Sequence, residues 1–495
     1  MSLINISNLS FAYDGSSESV FENVSFQIDT DWRLGFTGRN GRGKTTFLQL
    51  LMGKYPYSGS IAASVEFEYF PFEVEDETKA TLEVAEHISR SHLPWELSRE
   101  LSQLEVDEEV LHRPFRTLSN GEQTKVLLAA LFLRDGRFLL IDEPTNHLDL
   151  HGRKVVSDYL RSKEGFLVVS HDRAFLDRCV DHILSINKTN IEIQRGNFSS
   201  WLANRERQDH FELQENEKLK QEIRRLEKAS QEKAAWSNTA EGRKIGFDPN
   251  QTEKSAGRRP YEAAKSKKMM KRAKAIEARR QSSIQEKSGL LQNLERSETL
   301  KLTQQPYRAN RLISLEDISV FYGDTAVCRN VSLTVERGDR VALCGRNGSG
   351  KSSLLKLICG EELTYTGRLI RGTGLLVSRV LQDTSSLSGS LSAYARERGI
   401  DESLFLTILR KLDFSRAQFQ RDLRELSGGQ KKKVLIAGSL CERSNLLVWD
   451  EPLNFIDVLS RIQIEELLLT SRPTILFVEH DRSFCDRIAT KTVQL

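Results

Sequence analysis

The sequence predicts an α/β fold with two similar domains, each a mixed, mostly parallel sheet with helices, joined by a long α-helical hairpin. The chain repeats itself, because the segments at 4–15 and 21–53 match those at 313–324 and 328–360. Strand patterns alternate with helical patterns in both repeats, which is typical of doubly wound sheets. A chain of 495 residues is also too long for one core. We expect domains at 1–200, 201–305 and 306–495.

Each repeat predicts the same series of elements. Alternating apolar residues at Val24–Ile28 and Val331–Val335 indicate half-exposed strands of an added antiparallel layer. Helices are expected at 44–53 and 351–359. Short apolar runs predict buried strands of the parallel sheets. These runs are Leu34–Thr37, Phe138–Ile141, Phe166–Val169, Val341–Cys344, Leu446–Trp449 and Thr474–Val478.

The region from about 201 to 305 is charge-rich and lacks strand patterns. Apolar residues recur there at helical spacing, for example Leu219, Ile223 and Leu226. Glycines and a proline interrupt the middle, so we expect two antiparallel helical arms with a tip near 242–257. A flexible tether is the alternative, but a tether would not need helical spacing on both sides of a turn.

The segment Lys254–Arg280 is strongly basic, with eleven Lys or Arg and two Glu. Such a density of positive charge can neutralise RNA phosphates and predicts salt-sensitive binding. The alternatives are a solvated basic face or a helix on a membrane surface. No strong apolar face lies opposite the basic one, which disfavours the membrane.

Composition restricts the class of protein. Six cysteines are scattered without metal-like spacing, which indicates reduced thiols in a cytosolic protein. The sequence shows no signal peptide and no window of about 20 apolar residues that could span a membrane. The chain ends soon after His480, so we expect no C-terminal extension.

Two stretches, Gly38–Thr45 and Gly345–Ser352, fit the phosphate-loop pattern G-x-x-x-x-G-K-[ST]. Backbone N–H groups and a helix N-terminus in such a loop cradle phosphates, and the lysine reaches the β- and γ-phosphates. The residues expected to bind the nucleotide are Gly38, Asn40, Gly41, Gly43, Lys44, Thr45 and Thr46 in the first loop, and Gly345, Asn347, Gly348, Gly350, Lys351, Ser352 and Ser353 in the second.

Acidic pairs close the next buried strand of each repeat. Thr45 and Ser352 are expected to hold Mg²⁺, with Asp142 and Asp450 as partners of its water. The following glutamates, Glu143 and Glu451, are placed to polarise the attacking water. Solvation of a strand end is the alternative, but the preceding apolar run and the following proline argue against it.

Leu118–Gln123 and Leu426–Gln430 look like the signature motif of the ATP-binding cassette family, which the chain resembles over nearly its whole length. The resemblance implies two ABC-type domains that close head to tail around two ATP molecules. The first site would combine Lys44, Asp142, Glu143 and His171 with Ser427, Gly428 and Gly429. The second site would combine Lys351, Asp450, Glu451 and His480 with Ser119 and Gly121.

The same resemblance assigns further roles. His171 and His480 would sense the γ-phosphate, although a lone histidine is more often structural. Tyr13 and Tyr322 look like adenine-stacking residues, and ordinary edge residues are the alternative. Gln382 matches the family's Gln-loop position as a metal ligand. Its counterpart is Phe72, so the two sites are expected to be unequal.

Two cassettes on one chain with a charged helical linker resemble the ABC-F group, and within it the Lsa-type resistance factors, which are similar to the Vga-type proteins. This implies an Mg²⁺-dependent ATP hydrolase that enters the ribosomal exit site for tRNA. It would protect bacterial ribosomes from lincosamides, streptogramin A compounds and pleuromutilins. Lys244, Ile245 and Phe247 at the tip would contact 23S rRNA or P-site tRNA. Phe247 would stack on a base, unless it only closes the turn.

The resemblance also implies a cytoplasmic monomer whose cassettes pair within one chain. Three other functions remain as alternatives. A housekeeping ABC-F factor would relieve stalled ribosomes without any drug. The ATPase component of an exporter would not be expected to carry about 100 charged linker residues. A DNA-linked ATPase with a coiled-coil arm is disfavoured, because both cassettes are complete on either side of the hairpin.

Overall fold

The computed structural model describes residues 2–14, 19–90, 94–134, 136–146, 148–186, 191–208, several positions between 210 and 221, 304–346, 348–385, 387–415 and 418–495. The chain divides into two units, Met1–Trp201 with Thr299–Leu495, and Leu202–Glu298. The predicted hairpin, its basic segment and the tip residues Lys244, Ile245 and Phe247 lie outside the described residues. Below, the first half means the described residues up to 201, and the second half those from 304.

The first half contains two sheets, and its strands agree with the expected positions. They are β1 (Leu3–Phe11), β2 (Phe21–Asp29), β3 (Arg33–Gly38), β4 (Ser58–Ala62), β5 (Glu66–Phe70), β6 (Arg137–Asp142), β7 (Phe166–Val169), β8 (His182–Ile186) and β9 (Ile191–Arg195). One sheet is antiparallel, in the order β2-β1-β4. The other runs β5-β6-β7-β3-β8-β9 and is parallel except for β9.

The second half repeats this arrangement. Its strands are β10 (Arg311–Tyr322), β11 (Thr325–Glu336), β12 (Arg340–Cys344), β13 (Thr364–Arg371), β14 (Val377–Val380), β15 (Leu446–Asp450), β16 (Ile475–Val478) and β17 (Lys491–Gln494). The order β11-β10-β13 forms the antiparallel sheet, and β14-β15-β16-β12-β17 forms the parallel one. The predicted α/β fold with an added antiparallel layer is therefore confirmed for both halves.

Helices pack on the sheets and lie between consecutive strands along the chain. They are α1 (Lys44–Leu51), α2 (Thr81–Ser89), α3 (Pro94–Gln103), α4 (Asn120–Phe132), α5 (Leu150–Arg161), α6 (Arg173–Cys179), α7 (Lys351–Cys359), α8 (Leu391–Glu397), α9 (Glu402–Lys411), α10 (Gly428–Cys441), α11 (Val458–Ser471) and α12 (Arg482–Ile488). Among the described residues, no helix combines the length and apolar character that a bilayer crossing requires.

The core of each half lies between its two sheets. In the first half, Ile4 and Ile6 of β1 pack with Phe36 of β3 and Phe47 of α1, and all four are almost fully buried. A second apolar layer in the second half surrounds Trp449 of β15. Burial on both faces explains why the central parallel strands are continuous apolar runs rather than alternating ones.

The strand order brings the motifs of each half to one edge of its parallel sheet. In the first half β3 lies next to β7, and β7 lies next to β6, all parallel. The carboxyl ends of parallel strands share one edge of a sheet, where ligands bind in open α/β folds. The phosphate loop after β3, the acidic pair after β6 and the histidine after β7 therefore meet there, and the second half does the same with β12, β15 and β16.

Candidate ATP sites

Each phosphate loop joins a buried central strand to a helix. Gly43 and Gly350 precede α1 and α7 with φ of 91° and 85°, in the left-handed region that glycine tolerates. A Cβ at Gly43 would lie 2.5 Å from Val20 Cγ1, and one at Gly350 would lie 2.8 Å from Val327 O. A larger residue would therefore displace the start of the helix, whose N–H groups suit an anion.

The two phosphate-loop lysines lie inside their own loops. Lys44 Nζ donates to Gly38 O at 2.8 Å, and Lys351 Nζ donates to Gly345 O at 2.9 Å. Burial lowers the pKa of both lysines, although nearby carboxylates oppose that effect. Each ammonium group is thus held by the phosphate loop in which it is expected to bind the nucleotide.

Hydroxyl and carboxylate oxygens meet beside each loop. Thr45 Oγ1 donates to Asp142 Oδ2 at 3.1 Å, and the Ser352 hydroxyl donates to Asp450. Asp450 Oδ1 is buried and has no hydrogen-bond partner within the described part of the chain. Mg²⁺ prefers such oxygen donors and completes its shell with phosphates and water. The four residues therefore fit the expected Mg²⁺, which when bound would neutralise phosphate charge.

A glutamate and a histidine lie together at each site. His171 Nε2 is 3.3 Å from Glu143 Oε1, and His480 Nε2 is 3.3 Å from Glu451 Oε1. Glu143 and Glu451 have φ of 52° and 45°, a strained conformation for a residue with a side chain. The fold thus maintains a strained backbone that places each glutamate beside its histidine, and their roles as general base and γ-phosphate sensor stay predictions.

Burial affects the two glutamates differently. Burial, reinforced by the charge of Asp142, raises the pKa of Glu143 to about 8, although Lys44 and Arg461 favour its ionised form. Burial also opposes ionisation of Glu451, but hydrogen bonds from neighbouring side chains outweigh it, and the pKa of Glu451 is lowered. Glu451 is therefore the more readily ionised of the two predicted bases.

Two amides donate hydrogen bonds to the carboxylate of Glu451. Gln382 Nε2 and Asn454 Nδ2 both donate to Glu451 Oε2, at 2.9 and 2.7 Å. Gln382, expected as a metal ligand, thus bonds to the predicted base of its site. At the equivalent position of the first half Phe72 has no polar side-chain group. The expected inequality of the two sites is seen in these contacts.

The two tyrosines lie beside the phosphate-loop helices. The Tyr13 hydroxyl is 2.7 Å from Thr46 Oγ1, and Ser353 Oγ donates to the Tyr322 hydroxyl at 3.4 Å. The two residues are 42% and 48% exposed, so both are accessible to a flat ligand. Adenine stacking stays a prediction that these positions permit.

Each signature serine begins a helix. Ser119 caps α4 and Ser427 caps α10, both in capping boxes completed by Glu122 and Gln430. A capping box satisfies two backbone N–H groups at the helix start and fixes the entry of the chain. The positive end of each helix dipole therefore lies at the signature, where it favours binding of a phosphate.

The first site is assembled from both halves. Asn40 Nδ2 of the first phosphate loop donates to Phe455 O of the second half at 2.6 Å. A Cβ on Gly429 would lie 3.0 Å from that same Asn40 Nδ2. Arg39 Nη1 lies 3.0 Å from Asp413 Oδ1 of the second half. The phosphate loop that contains Lys44 therefore lies against the signature that contains Gly429, as the head-to-tail arrangement predicts.

The second site is also shared, but it surrounds a cavity of about 1150 Å³. Residues of both halves line it, including Ser119, Gly121, Lys351, Ser352, Glu451 and His480. Glu105 and Arg346 line it too, and Glu105 Oε2 lies 2.6 Å from His151 Nε2. The equivalent acid at the first site, Asp413, instead reaches across to Arg39. Thus the first site is closed by contacts across the halves, and the second is open.

The sequence alone did not reveal several charged contacts between the halves. Arg173, which follows His171, contacts the buried Glu465 of α11 through both of its terminal nitrogens, and Nη1 lies 3.3 Å from Oε2. Arg153 Nη1 donates to His480 O at 3.2 Å. Only Asn347 among the expected ATP-binding residues lies outside the part that the structure describes. A comparison of the two repeats would have marked Glu465 as unusual, because its counterpart is Ser157.

The sequence profile of the ABC transporter family matches residues 21–146 and 328–454, once in each half and over more than half of the chain. The chain belongs to the ABC transporter family. Each half is accordingly a cassette, and the two sites between them are ABC-type ATP sites. As members of this family do, the protein binds ATP with Mg²⁺ and hydrolyses it.

Related proteins match this ABC protein over nearly its whole length. Ribosome protection protein VmlR of Bacillus subtilis is 27% identical over 498 residues, covering 98% of this chain and 85% of that protein. ATP-binding protein Uup of Caulobacter vibrioides is 29% identical over 500 residues, covering 97% and 75%. ABC transporter F family member 2 of Arabidopsis thaliana is 24% identical over 553 residues, covering 99% and 76%. The expected ABC-F group is confirmed.

Solved structures support the fold. The archaeal ribosome recycling factor aABCE1, solved with the ribosomal stalk protein aP1, matches with a TM-score of 0.64 and 18% identity, over 98% of this chain and 87% of that one. RNase-L Inhibitor matches with a TM-score of 0.63 and 19% identity, over 99% and 87%. At these identities the likeness shows the fold alone, with two ABC cassettes in one chain.

In this ABC ATPase, Gly429→Ala is expected to lower the rate of ATP hydrolysis about tenfold, as overpacking by 1–3 kcal/mol implies. The added Cβ would lie 2.3 Å from Phe455 O and 3.0 Å from Asn40 Nδ2, so the two cassettes could not keep their contact. Gly428→Ala is the steric control, because its Cβ would meet only Phe455 Cδ2 at 3.9 Å, so any loss it causes would come from its expected nucleotide contact and not from crowding. Phosphate-release rates would measure both, and a loss for Gly429→Ala no greater than that for Gly428→Ala would contradict the steric explanation.

Proposed function

We propose that this ABC-F ATPase binds the bacterial ribosome, enters the tRNA exit site and dislodges antibiotics that act at the peptidyl-transferase centre. The drugs are lincosamides, streptogramin A compounds and pleuromutilins. The observation that carries the proposal is the similarity to Ribosome protection protein VmlR over 98% of this chain, which includes both cassettes and the linker. In this role the protein acts in the cytoplasm as a monomer whose cassettes pair with each other.

The charge of the linker supports an RNA partner. The segment Lys254–Arg280 carries eleven basic and two acidic residues. Neutralising phosphates in this way releases counterions, so binding should weaken steeply as salt rises. A partner without a phosphate backbone would not give so steep a dependence.

The geometry of the cassettes supports a switch driven by ATP. The first site is already closed by contacts between cassettes, whereas the second surrounds a cavity with Lys351 on one side and Ser119 on the other. ATP at the second site would be bound by both walls and would draw them together. Because the linker joins the cassettes in sequence, this movement would be transmitted to both ends of the linker.

The linker tip would produce the effect on the drug. Lys244, Ile245 and Phe247, which lie outside the described residues, would contact 23S rRNA or P-site tRNA near the drug pocket. An aromatic side chain can stack on an exposed base, so Phe247 is the residue expected to reach furthest. Phe247→Ala should then reduce protection more than it reduces ribosome binding.

Co-sedimentation with ribosomes tests the proposal. The variant Glu143→Gln with Glu451→Gln should bind ATP, hydrolyse it slowly and accumulate on bacterial ribosomes. Lys44→Ala with Lys351→Ala is the matched control, since without the phosphate-loop lysines it should stay in the supernatant even with ATP. Double-glutamine protein that remains free of ribosomes would contradict the proposal, and protein that floats with membranes would favour the exporter component.

A housekeeping role in translation is the second candidate, because the relatives also include proteins such as Uup whose names mention only ATP binding. Minimum inhibitory concentrations in a susceptible bacterium separate the two. Expression should raise the values for lincosamides, streptogramin A compounds and pleuromutilins, and the lysine double variant should not. Unchanged values for all three drug classes, with ribosome binding intact, would leave only the housekeeping role.

A further inference from the structure

The first ATP site contains a hydrogen bond that the signature motifs do not include. Tyr69 lies on β5, one residue before the strand's end, and its hydroxyl donates to Asp142 Oδ2 at 3.0 Å. Thr45 Oγ1 donates to the same oxygen at 3.1 Å. The carboxylate that is expected to face Mg²⁺ is therefore held by two hydroxyl groups, one of them from a strand outside the phosphate loop.

The second site is built differently. Strand register pairs Tyr69 with Leu140 on β6 and Arg379 with Val448 on β15, so Arg379 is the counterpart of Tyr69. Arg379 is directed elsewhere, since its Nη1 lies 2.9 Å from Glu361 Oε1 and its side chain is 47% exposed. A phenol on the metal-binding aspartate is thus a feature of the first site.

We propose that Tyr69 is a positioning residue of the first ATP site, where its hydroxyl fixes the Asp142 carboxylate for Mg²⁺. At that site the Gln-loop position is Phe72, which offers no polar side-chain group. Outer partners of metal-facing residues orient them, and their loss typically costs 10–100-fold in metal affinity. At the second site, amides bond to Glu451 rather than to the metal-facing aspartate.

The surroundings of Tyr69 keep it a hydrogen-bond donor. A phenol ordinarily loses its proton only near a pH of about 10, so at physiological pH Tyr69 is a hydrogen-bond donor to the carboxylate. A hydrogen bond donated to an ionised carboxylate favours that form. The phenol therefore favours the ionised carboxylate, the form that a cation requires. Lys54 Nζ, 5.8 Å from the ring centre, adds a second contact that holds the ring.

The variant Tyr69→Phe tests this assignment, because it removes the hydroxyl and keeps the ring. In the background Lys351→Ala only the first site should bind a fluorescent ATP analogue tightly. There, the Mg²⁺ concentration that gives half-maximal binding of the analogue should rise about tenfold. Binding of the analogue without metal, and the thermal unfolding midpoint, should stay the same.

The same substitution in the background Lys44→Ala is the control, because only the second site then binds. Its Mg²⁺ requirement should not change, and Arg379→Gln should leave the first site's requirement unchanged. An unaltered Mg²⁺ requirement at the first site would overturn the assignment. Equal shifts in both backgrounds would also overturn it, because they would indicate a general structural effect.

Discussion

Replacing both predicted bases, Glu143→Gln and Glu451→Gln, is expected to lower the rate of ATP hydrolysis at least about a hundredfold, with ATP binding retained. An amide has nearly the shape of a carboxylate but cannot accept the proton of the attacking water. Each glutamate directly follows a β-strand and lies 3.3 Å from its histidine, and an amide of the same shape should leave the surrounding geometry in place. Single-turnover phosphate release and equilibrium binding of ATP measure the two quantities.

The single variants are the controls for this experiment. Glu143→Gln keeps the carboxylate of Glu451, and Glu451→Gln keeps that of Glu143. Each single variant should therefore retain hydrolysis at one site. Because the pKa of Glu143 is raised to about 8 and that of Glu451 is lowered, the rate left in Glu451→Gln should increase with pH up to that value. A double variant with more than about a tenth of the wild-type rate would show that neither carboxylate is the base.

Arg173→Ala is expected to destabilise the protein by about 3 kcal/mol, the usual cost of removing one partner of a buried ion pair. The Arg173 side chain is 10% exposed and that of Glu465 is fully buried. Arg173 also lies 3.8 Å from Asp481 Oδ2. Its removal would leave buried acidic groups of the second cassette with less positive charge around them, although Arg487 still reaches Glu465 at 2.9 Å. The apparent free energy of unfolding in urea measures the loss.

The repeat provides a matched control. Arg482 is the counterpart of Arg173 in the second cassette, but its side chain is 69% exposed and lies 3.5 Å from the equally exposed Asp486. Exposed pairs of this kind contribute roughly 0–1 kcal/mol, so Arg482→Ala should have almost no effect. Similar losses of unfolding free energy for the two variants would show that the contact between cassettes stabilises the protein no more than an exposed ion pair does.

Much of the fold followed from the sequence because its signals are local. The glycines of the phosphate loops need positive φ, and continuous apolar runs fit only strands that are buried on both faces. Trp449 and Phe166, for example, lie in central strands where the runs predicted them. The motif order also predicts that Lys44 and Asp142 belong to the same ATP site.

Contacts between distant segments could not be predicted in the same way. Arg173 and Glu465 meet across the two cassettes, and nothing in the local pattern around either residue indicates its partner. Tyr69 lies in an ordinary strand pattern, and only strand register shows that its hydroxyl reaches Asp142. The open second site and the closed first site differ through such contacts. Asp413 and Glu105 are acids at equivalent positions of the two repeats, but they contact different residues, Arg39 and His151.

The two sites are chemically unequal in ways that concern turnover. At the second site two amides bond to the base, whereas at the first site a phenol and a threonine hydroxyl bond to the metal-facing aspartate. Hydrogen bonds to an ionised group favour that form, so each site stabilises a different carboxylate. A cycle in which the two ATP molecules are hydrolysed at different rates is consistent with this arrangement.

A cryo-EM map of the Glu143→Gln and Glu451→Gln protein with ATP on bacterial ribosomes tests the central claim most directly. The account predicts both cassettes closed on nucleotide and the linker between residues 201 and 305 lying in the tRNA exit site, with its tip near the peptidyl-transferase centre. Cassettes closed on ATP with the linker away from that site, or ribosomes without bound protein, would contradict it.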